Sequence, residues 1–246
     1  MMRHVDLCSG IGGFALGFEW AGLSKPVLFC DIDPWSRKIL AKHWPHIPIA
    51  EDVKELANDP DGLIPDCDIL TAGYPCQPFS LAGERRGTED DRHIWPYILS
   101  IVKAKRPSWC VFENVYGHVS MGLDEVLSDL EGEGYAARPF IVPACAADAP
   151  HRRDRVWIIA RNVDNPNSIG QPRSAKEQIQ RISNKPRKSI RGSQDAPRRW
   201  PAEPAVGRVA NGIPRRVDRL RGLGNAIVPQ IAMRIGQTIK QVEAET

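Results

Sequence analysis

Cys76 offers the most reactive side chain in a suggestive place. It lies in Gly73-Tyr74-Pro75-Cys76-Gln77-Pro78-Phe79-Ser80, directly after the apolar run Ile69-Leu70-Thr71-Ala72. An apolar run bounded by turn residues reads as a buried strand. In an open α/β sheet, residues just past the C-terminal end of a strand stand at the ligand-binding edge. A thiol there is either a nucleophile, active as its thiolate, or a small buried apolar residue. The second informative stretch is Asp6-Leu7-Cys8-Ser9-Gly10-Ile11-Gly12-Gly13-Phe14. Val5-Asp6-Leu7 begins as a strand, the glycines permit a tight turn and close backbone approach, and Phe14 to Ala21 continues as a helix. That order suits a nucleotide-like ligand over a helix N-terminus, although the glycine spacing is not the dinucleotide fingerprint. Val27-Leu28-Phe29-Cys30 ends in Asp31, about 20 residues after the glycines, where a carboxylate can accept from ribose hydroxyls. Ile47-Pro48-Ile49-Ala50 ends in Glu51-Asp52. Glycines or carboxylates delivered by successive strands to one edge predict an adenosine-containing ligand.

The elements needed to position these residues are legible as alternating strands and helices through residue 161. Ile94, Ile98, Ile101 and Val102 share a helical face, as do Leu123, Val126, Leu127 and Leu130. Strands recur at Trp109 to Phe112, at Phe140-Ile141-Val142 and at Arg155 to Ala160, and a last helix from Pro229 carries Ile231, Ile235, Ile239 and Val242 on one face. Alternation of this kind predicts an α/β protein with a doubly wound sheet and right-handed crossovers. At 246 residues, one main domain with a small appendage is expected. No apolar stretch approaches the roughly 20 residues that span a bilayer, and the N-terminus has no signal-peptide core. The cysteines at 8, 30, 67, 110 and 145 lie in or beside apolar runs without a C-x-x-C pair and are expected to be reduced core residues, which points to a cytoplasmic setting. The histidines are scattered without ligand spacing, so no metal is expected. Residues 1–161 carry 17 Lys+Arg against 23 Asp+Glu, whereas residues 162–246 carry 16 against 7, so the C-terminal part is what a polyanion would meet.

Together these motifs resemble the C5-cytosine DNA methyltransferases, phage or prophage types in particular, over nearly the whole chain. The family's cofactor loop is matched by Asp6 to Phe14, its ribose-binding acid by Asp31 and its acid near the adenine by Asp52. The proline-cysteine-glutamine nucleophile motif is matched by Pro75 to Ser80, and the glutamate-asparagine-valine motif by Glu113-Asn114-Val115. The arginine motif, usually Gln-x-Arg-x-Arg, appears as His151-Arg152-Arg153-Asp154-Arg155; histidine replaces glutamine, and both arginines keep their spacing. The late cofactor motif is Gly224-Asn225-Ala226-Ile227-Val228-Pro229. The resemblance implies a Rossmann-like class I methyltransferase sheet and S-adenosylmethionine as cofactor. The implied cofactor residues are Asp6, Ser9, Gly10, Gly12, Gly13, Phe14, Asp31, Ile32, Asp52, Val53, Pro75, Asn225 and Ala226. It implies catalysis by Cys76, Glu113, Arg153 and Arg155, and a final helix that returns to the first strands.

Cytosine carbon 5 is a poor nucleophile, so a thiolate must first add to carbon 6, the role implied for Cys76. A carboxyl that holds a proton near ring nitrogen 3 would stabilise the charge that develops, if burial raises its pKa; this is the place for Glu113. Arg155 would donate to the cytosine carbonyl oxygen. The target base must leave the stack, and Arg85 and Arg86 in the loop after Cys76 are expected to hold the distorted backbone. The family's target-recognition region corresponds to residues 162–221, shorter here than is usual, between a catalytic and cofactor-binding domain at 1–161 and the returning segment 222–246. Within it, residues 162–200 hold 9 Lys+Arg against 3 Asp+Glu and few apolar residues, a composition that predicts a mobile segment. Arg208, Arg216 and Arg219 follow as DNA-binding candidates. The expected partner is double-stranded DNA, met by a monomer without membrane or metal, in a bacterial or phage-infected cell. The competing readings are a tRNA-directed relative, a catalytically idle DNA-binding module and an adenine methyltransferase. The sequence Gln77-Pro78-Phe79-Ser80 resembles the DNA group more than the tRNA group; Cys76, Glu113 and Arg155 together oppose the idle module; and Tyr74-Pro75-Cys76-Gln77 stands where the adenine enzymes carry Asp/Asn-Pro-Pro-aromatic.

Overall fold

The computed structural model describes residues 1–75, 94–120, 122–147, 153–163 and 226–245. In chain order, they form β1 (Met2–Leu7), α1 (Gly13–Trp20), β2 (Ser24–Cys30), α2 (Pro34–His43), β3 (Ile49–Ala50), α3 (Val53–Asn58), α4 (Pro60–Leu63) and β4 (Ile69–Gly73). Then come α5 (Trp95–Lys105), β5 (Trp109–Val115), α6 (Leu123–Gly132), β6 (Tyr135–Pro143), β7 (Asp154–Asn162) and α7 (Pro229–Ala244). The strands make one sheet of order β3-β2-β1-β4-β5-β7-β6. β1 to β5 pair in parallel, whereas β7 is antiparallel to both β5 and β6.

Helices cover both faces, so the central strands read as unbroken apolar runs; β5 is buried from Trp109 through Asn114. On one face, Val53 and Leu56 of α3, Ile98, Ile101 and Val102 of α5, and Val126, Leu127 and Leu130 of α6 pack on Leu70, Cys110 and Phe112. On the other, Phe14 and Phe18 of α1 and Ile231, Ala232 and Ile239 of α7 pack on Ile69, Val111 and Trp157. All three helical faces read from the sequence pack on the core, Ile94, Ile235 and Val242 only in part, and the last helix lies beside α1.

The sheet is doubly wound, as expected, and mixed: β7 enters it between β5 and β6 in the opposite direction. β6 is longer than the Phe140-Ile141-Val142 core suggested and carries Pro139 and Pro143, which an edge strand tolerates because one side of its backbone has no ladder to complete. One expectation needs correction, that of the cysteines. Cys30, Cys67 and Cys110 are buried and Cys8 is half-buried, but Cys145 is exposed: it sits in the 3-10 turn Ala144–Ala147, whose inward side is taken by Ala144. Of the expected recognition region, only Asn162 and Val163 are among the described residues.

Candidate active site

The C-terminal ends of β1, β2, β3, β4 and β5 share one edge because those strands are parallel. The antiparallel β7 brings its N-terminal end to that same edge, where Arg155 is the register partner of Val115 and Trp157 of Glu113.

β1 leads into the glycine loop, in which Cys8, Gly10 and Gly12 have left-handed backbone at φ 51°, 55° and 82°. Gly12 in that conformation starts α1, where a side chain would also strike the Trp44 ring. Asp31 holds the loop: its carboxylate accepts from the Gly10 N–H at 2.7 Å and the Asp33 N–H at 2.8 Å. Burial pushes the Asp31 carboxyl up from its ordinary range, opposed by those two N–H donors. Arg37 folds back from α2 to donate to the carbonyls of Asp31 and Ile32 and pairs with Glu51 at 2.9 Å. Ile32 stays 73% exposed beside them. Asp52 follows β3 and caps α3, accepting from the Lys54 N–H at 2.9 Å.

Other sequence-predicted residues have structural work. The Ser9 hydroxyl donates to the Asp6 carbonyl and accepts from the Cys30 N–H, so it braces the loop from within. Phe14 lies in the core edge-on to Trp157, with ring centroids 5.5 Å apart, and Val53 is likewise buried in the core. Any contact these two make with a ligand runs through backbone.

At the end of β4, the missing side chain of Gly73 leaves a gap between the glycine loop and Glu113. A Cβ there would stand 3.8 Å from the Cys8 carbonyl oxygen, 3.7 Å from Glu113 Oε2 and 3.4 Å from Ile227 Cδ1. The other Glu113 oxygen pairs with Arg155 Nε at 2.9 Å. Burial nevertheless outweighs the two nearby guanidiniums, of Arg155 and Arg153, and raises the Glu113 carboxyl to about 7. Arg153, left-handed at φ 32°, donates from Nη1 to the Ala226 carbonyl at 2.8 Å. Pro75 is exposed at the rim, where Cys76 follows it in sequence.

Two buried polar groups escaped the sequence reading. His4 Nε2 lies 2.7 Å from Thr71 Oγ1, which donates to Asp6 Oδ1 at 2.6 Å, all three fully buried under the glycine loop. Burial takes Asp6 up to about 8 and His4 down to about 3. His4 and Asp6 stand two apart on β1, a period-2 signal that could have placed them on one face. The Tyr74 hydroxyl, just before Pro75, meets His118 Nε2 at 2.9 Å, joining the end of β4 to the turn Tyr116–Ser120 after β5.

Residues 2–201 match the family model described as C-5 cytosine-specific DNA methylase. The chain belongs to the C-5 cytosine-specific DNA methylase family. Among similar members of this methylase family, the type II methyltransferase M2.BsuMI of Bacillus subtilis is 33% identical over 180 residues, covering 68% of this chain and 44% of that protein. The type II methyltransferase M.NgoBI of Neisseria gonorrhoeae is 33% identical over 177 residues, 70% of this chain and 54% of that protein. The match thus spans about half or less of these methylases. The S. pombe Dnmt2 methyltransferase has the same fold, with TM-score 0.60 and 24% identity over 77% of this chain and 58% of its own. The methylase fold is therefore the Rossmann-like class I methyltransferase fold.

Cys76, Arg85, Arg86, Arg208, Arg216, Arg219 and Asn225 lie outside the described residues. Among the described residues, no group of three or more His, Cys, Asp or Glu could hold a metal ion, and no helix is long and apolar enough to cross a membrane.

Proposed function

We propose that this chain transfers a methyl group from S-adenosylmethionine to carbon 5 of cytosine in double-stranded DNA. The observation that carries this reading is the Glu113–Arg155 pair, set across the Gly73 gap from the glycine loop. It puts a carboxyl able to keep a proton near neutral pH and a fixed cation beside a loop built for a nucleotide-like ligand.

The residues around the gap suit the cofactor. Asp31 retains lone pairs for ribose hydroxyls, Ile32 offers an exposed apolar face to the adenine, and the buried Asp6 has one oxygen without a partner among the described residues. The backbone of Ser9, Gly10, Gly12, Gly13, Phe14 and Val53 would close around it, with Asp52, Pro75, Asn225 and Ala226. When bound, S-adenosylmethionine supplies the methyl group.

The Cys76 thiolate adds to carbon 6 of a flipped cytosine while Glu113 holds a proton at ring nitrogen 3 and Arg155 donates to the ring carbonyl. This makes carbon 5 nucleophilic enough to accept the methyl group. A water takes the carbon 5 proton, the carbon–sulfur bond breaks, the thiolate leaves and the ring proton returns to Glu113. Arg85, Arg86, Arg208, Arg216 and Arg219 would meet phosphates, with residues 162–221 as the recognition region. The same reading makes the protein a cytoplasmic monomer.

DNA carrying 5-fluorocytosine tests this, because fluorine blocks the last elimination. Wild-type protein with cofactor should form a denaturant-resistant adduct at the target site, and Cys76→Ser should form none while still binding cofactor. DNA from expressing cells that carries no new 5-methylcytosine at any site overturns the proposal.

A further inference from the structure

Ile227 touches two sides of the gap at once. A Cβ on Gly13, at the start of α1, would lie 2.7 Å from Ile227 Cβ and 2.8 Å from its carbonyl oxygen. Across the gap, Ile227 Cδ1 stands 3.4 Å from the Cβ position of Gly73. The segment Ala226–Val228 is therefore wedged between the glycine loop and the end of β4, and it leads directly into α7.

Arg153 holds that wedge from a third side. Its Nη1 donates to the Ala226 carbonyl at 2.8 Å, a link between residues 73 apart in sequence. The Arg153 carbonyl in turn accepts from the Ala144 N–H at 3.3 Å, so its backbone is tied to the turn after β6. Its left-handed φ of 32° is one that side-chain-bearing residues rarely adopt. Two residues on, Arg155 pairs with Glu113. One arginine motif thus serves both walls of the gap: Arg155 the carboxyl wall, Arg153 the wedge beside the glycine loop.

We propose that Arg153 is a positioning residue that couples the two walls: through the Ala226 carbonyl it sets where Ile227 stands between Gly13 and Gly73, and so tunes cofactor affinity without touching the reacting base. The inference rests on the methyl-transfer reading, since it names the ligand whose affinity changes. The physical basis is a charge-assisted hydrogen bond to a part-buried carbonyl, short and directional enough to hold a three-residue segment in register.

Calorimetric titration of the full chain with S-adenosylmethionine, without DNA, tests the coupling. Arg153→Ala should weaken cofactor binding about five- to tenfold, in the ordinary range for coupled sites. Arg153→Lys keeps a cation able to reach the carbonyl and should recover most of that loss. In steady-state assays, the Arg153→Ala change should appear in KM for the cofactor more than in kcat. Ile227→Val, which removes the methyl group facing Gly73, should shift affinity in the same direction and keeps the test open if Arg153→Ala does not fold. Unchanged cofactor affinity in these variants, with kcat alone reduced in Arg153→Ala, overturns the coupling and assigns Arg153 to the base. Wild-type protein that binds no cofactor overturns the methyl-transfer reading and this coupling with it.

Discussion

Glu113 is held between two opposing effects, and the balance suits a proton-holding role. Burial favours the neutral carboxyl, Arg155 at 2.9 Å favours the ionised one, and burial wins, leaving the group at about 7. If the protonated carboxyl is the working form, methyl transfer falls as pH rises through about 7. Glu113→Gln cannot release and recover a proton, so its turnover should drop by about 10²-fold, and its rate should lose that alkaline decline. A pH–rate profile of methyl incorporation for both proteins checks this. An alkaline limb that persists in Glu113→Gln belongs to another group.

At the scale of elements, the close docking of α1 against α7 decides where Ile227 stands. α1 and its C-cap residue present Gly17 and Ala21 to α7, which answers with Ala232 and Gly236. At Gly17 a Cβ would strike the Pro229 carbonyl oxygen and lie 2.6 Å from the Ala232 Cβ and 2.9 Å from the Met233 nitrogen. Nothing there is the loose end of a side chain, so any larger residue must push α7 outward. Gly17→Leu should cost about 1–3 kcal/mol of stability, the usual range for overpacking, and should also weaken cofactor binding, because the wedge moves with the helix. Denaturant midpoints and calorimetry read the two effects. Wild-type stability and affinity in this variant would mean that the helices separate freely.

For the whole molecule, buried titrating groups set the pH dependence of stability. Asp6 and Glu113 have folded values raised to about 8 and about 7, so the folded state keeps protons the unfolded chain gives up, and folding loses stability as pH climbs toward those values. His4 and His118 have folded values lowered to about 3 and about 4, so they oppose folding only as pH falls below their ordinary value near 6.5. The two effects offset one another in acid, but above pH 6.5 only the carboxyls remain. Stability should therefore fall between about pH 6.5 and 8, by up to roughly 1.4 kcal/mol per pH unit for each proton involved. Urea midpoints at several pH values measure the slope, and Asp6→Asn should flatten its upper part. A midpoint that rises across that interval would mean that both carboxyls ionise in the fold without penalty.

Much of this site was legible in the sequence because its parts occur at strand ends. Apolar runs ending in Asp31, Asp52, Gly73 and Glu113 each become strands of one parallel block, so local pattern alone was enough to bring those residues to one edge. What local pattern could not carry is direction and pairing. A strand has period 2 whichever way it runs, so nothing within Arg155 to Ala160 announces that β7 is antiparallel; yet that reversal is what lands Arg155 on Glu113. The His4–Thr71 contact joins residues 67 apart, and Arg153–Ala226 joins residues 73 apart. Such contacts exist only once the sheet and the returning helix have closed. The residue types and their order at the edge were written in the chain; which carboxyl met which cation, and how much burial raised its pKa, was decided by the packing of distant segments.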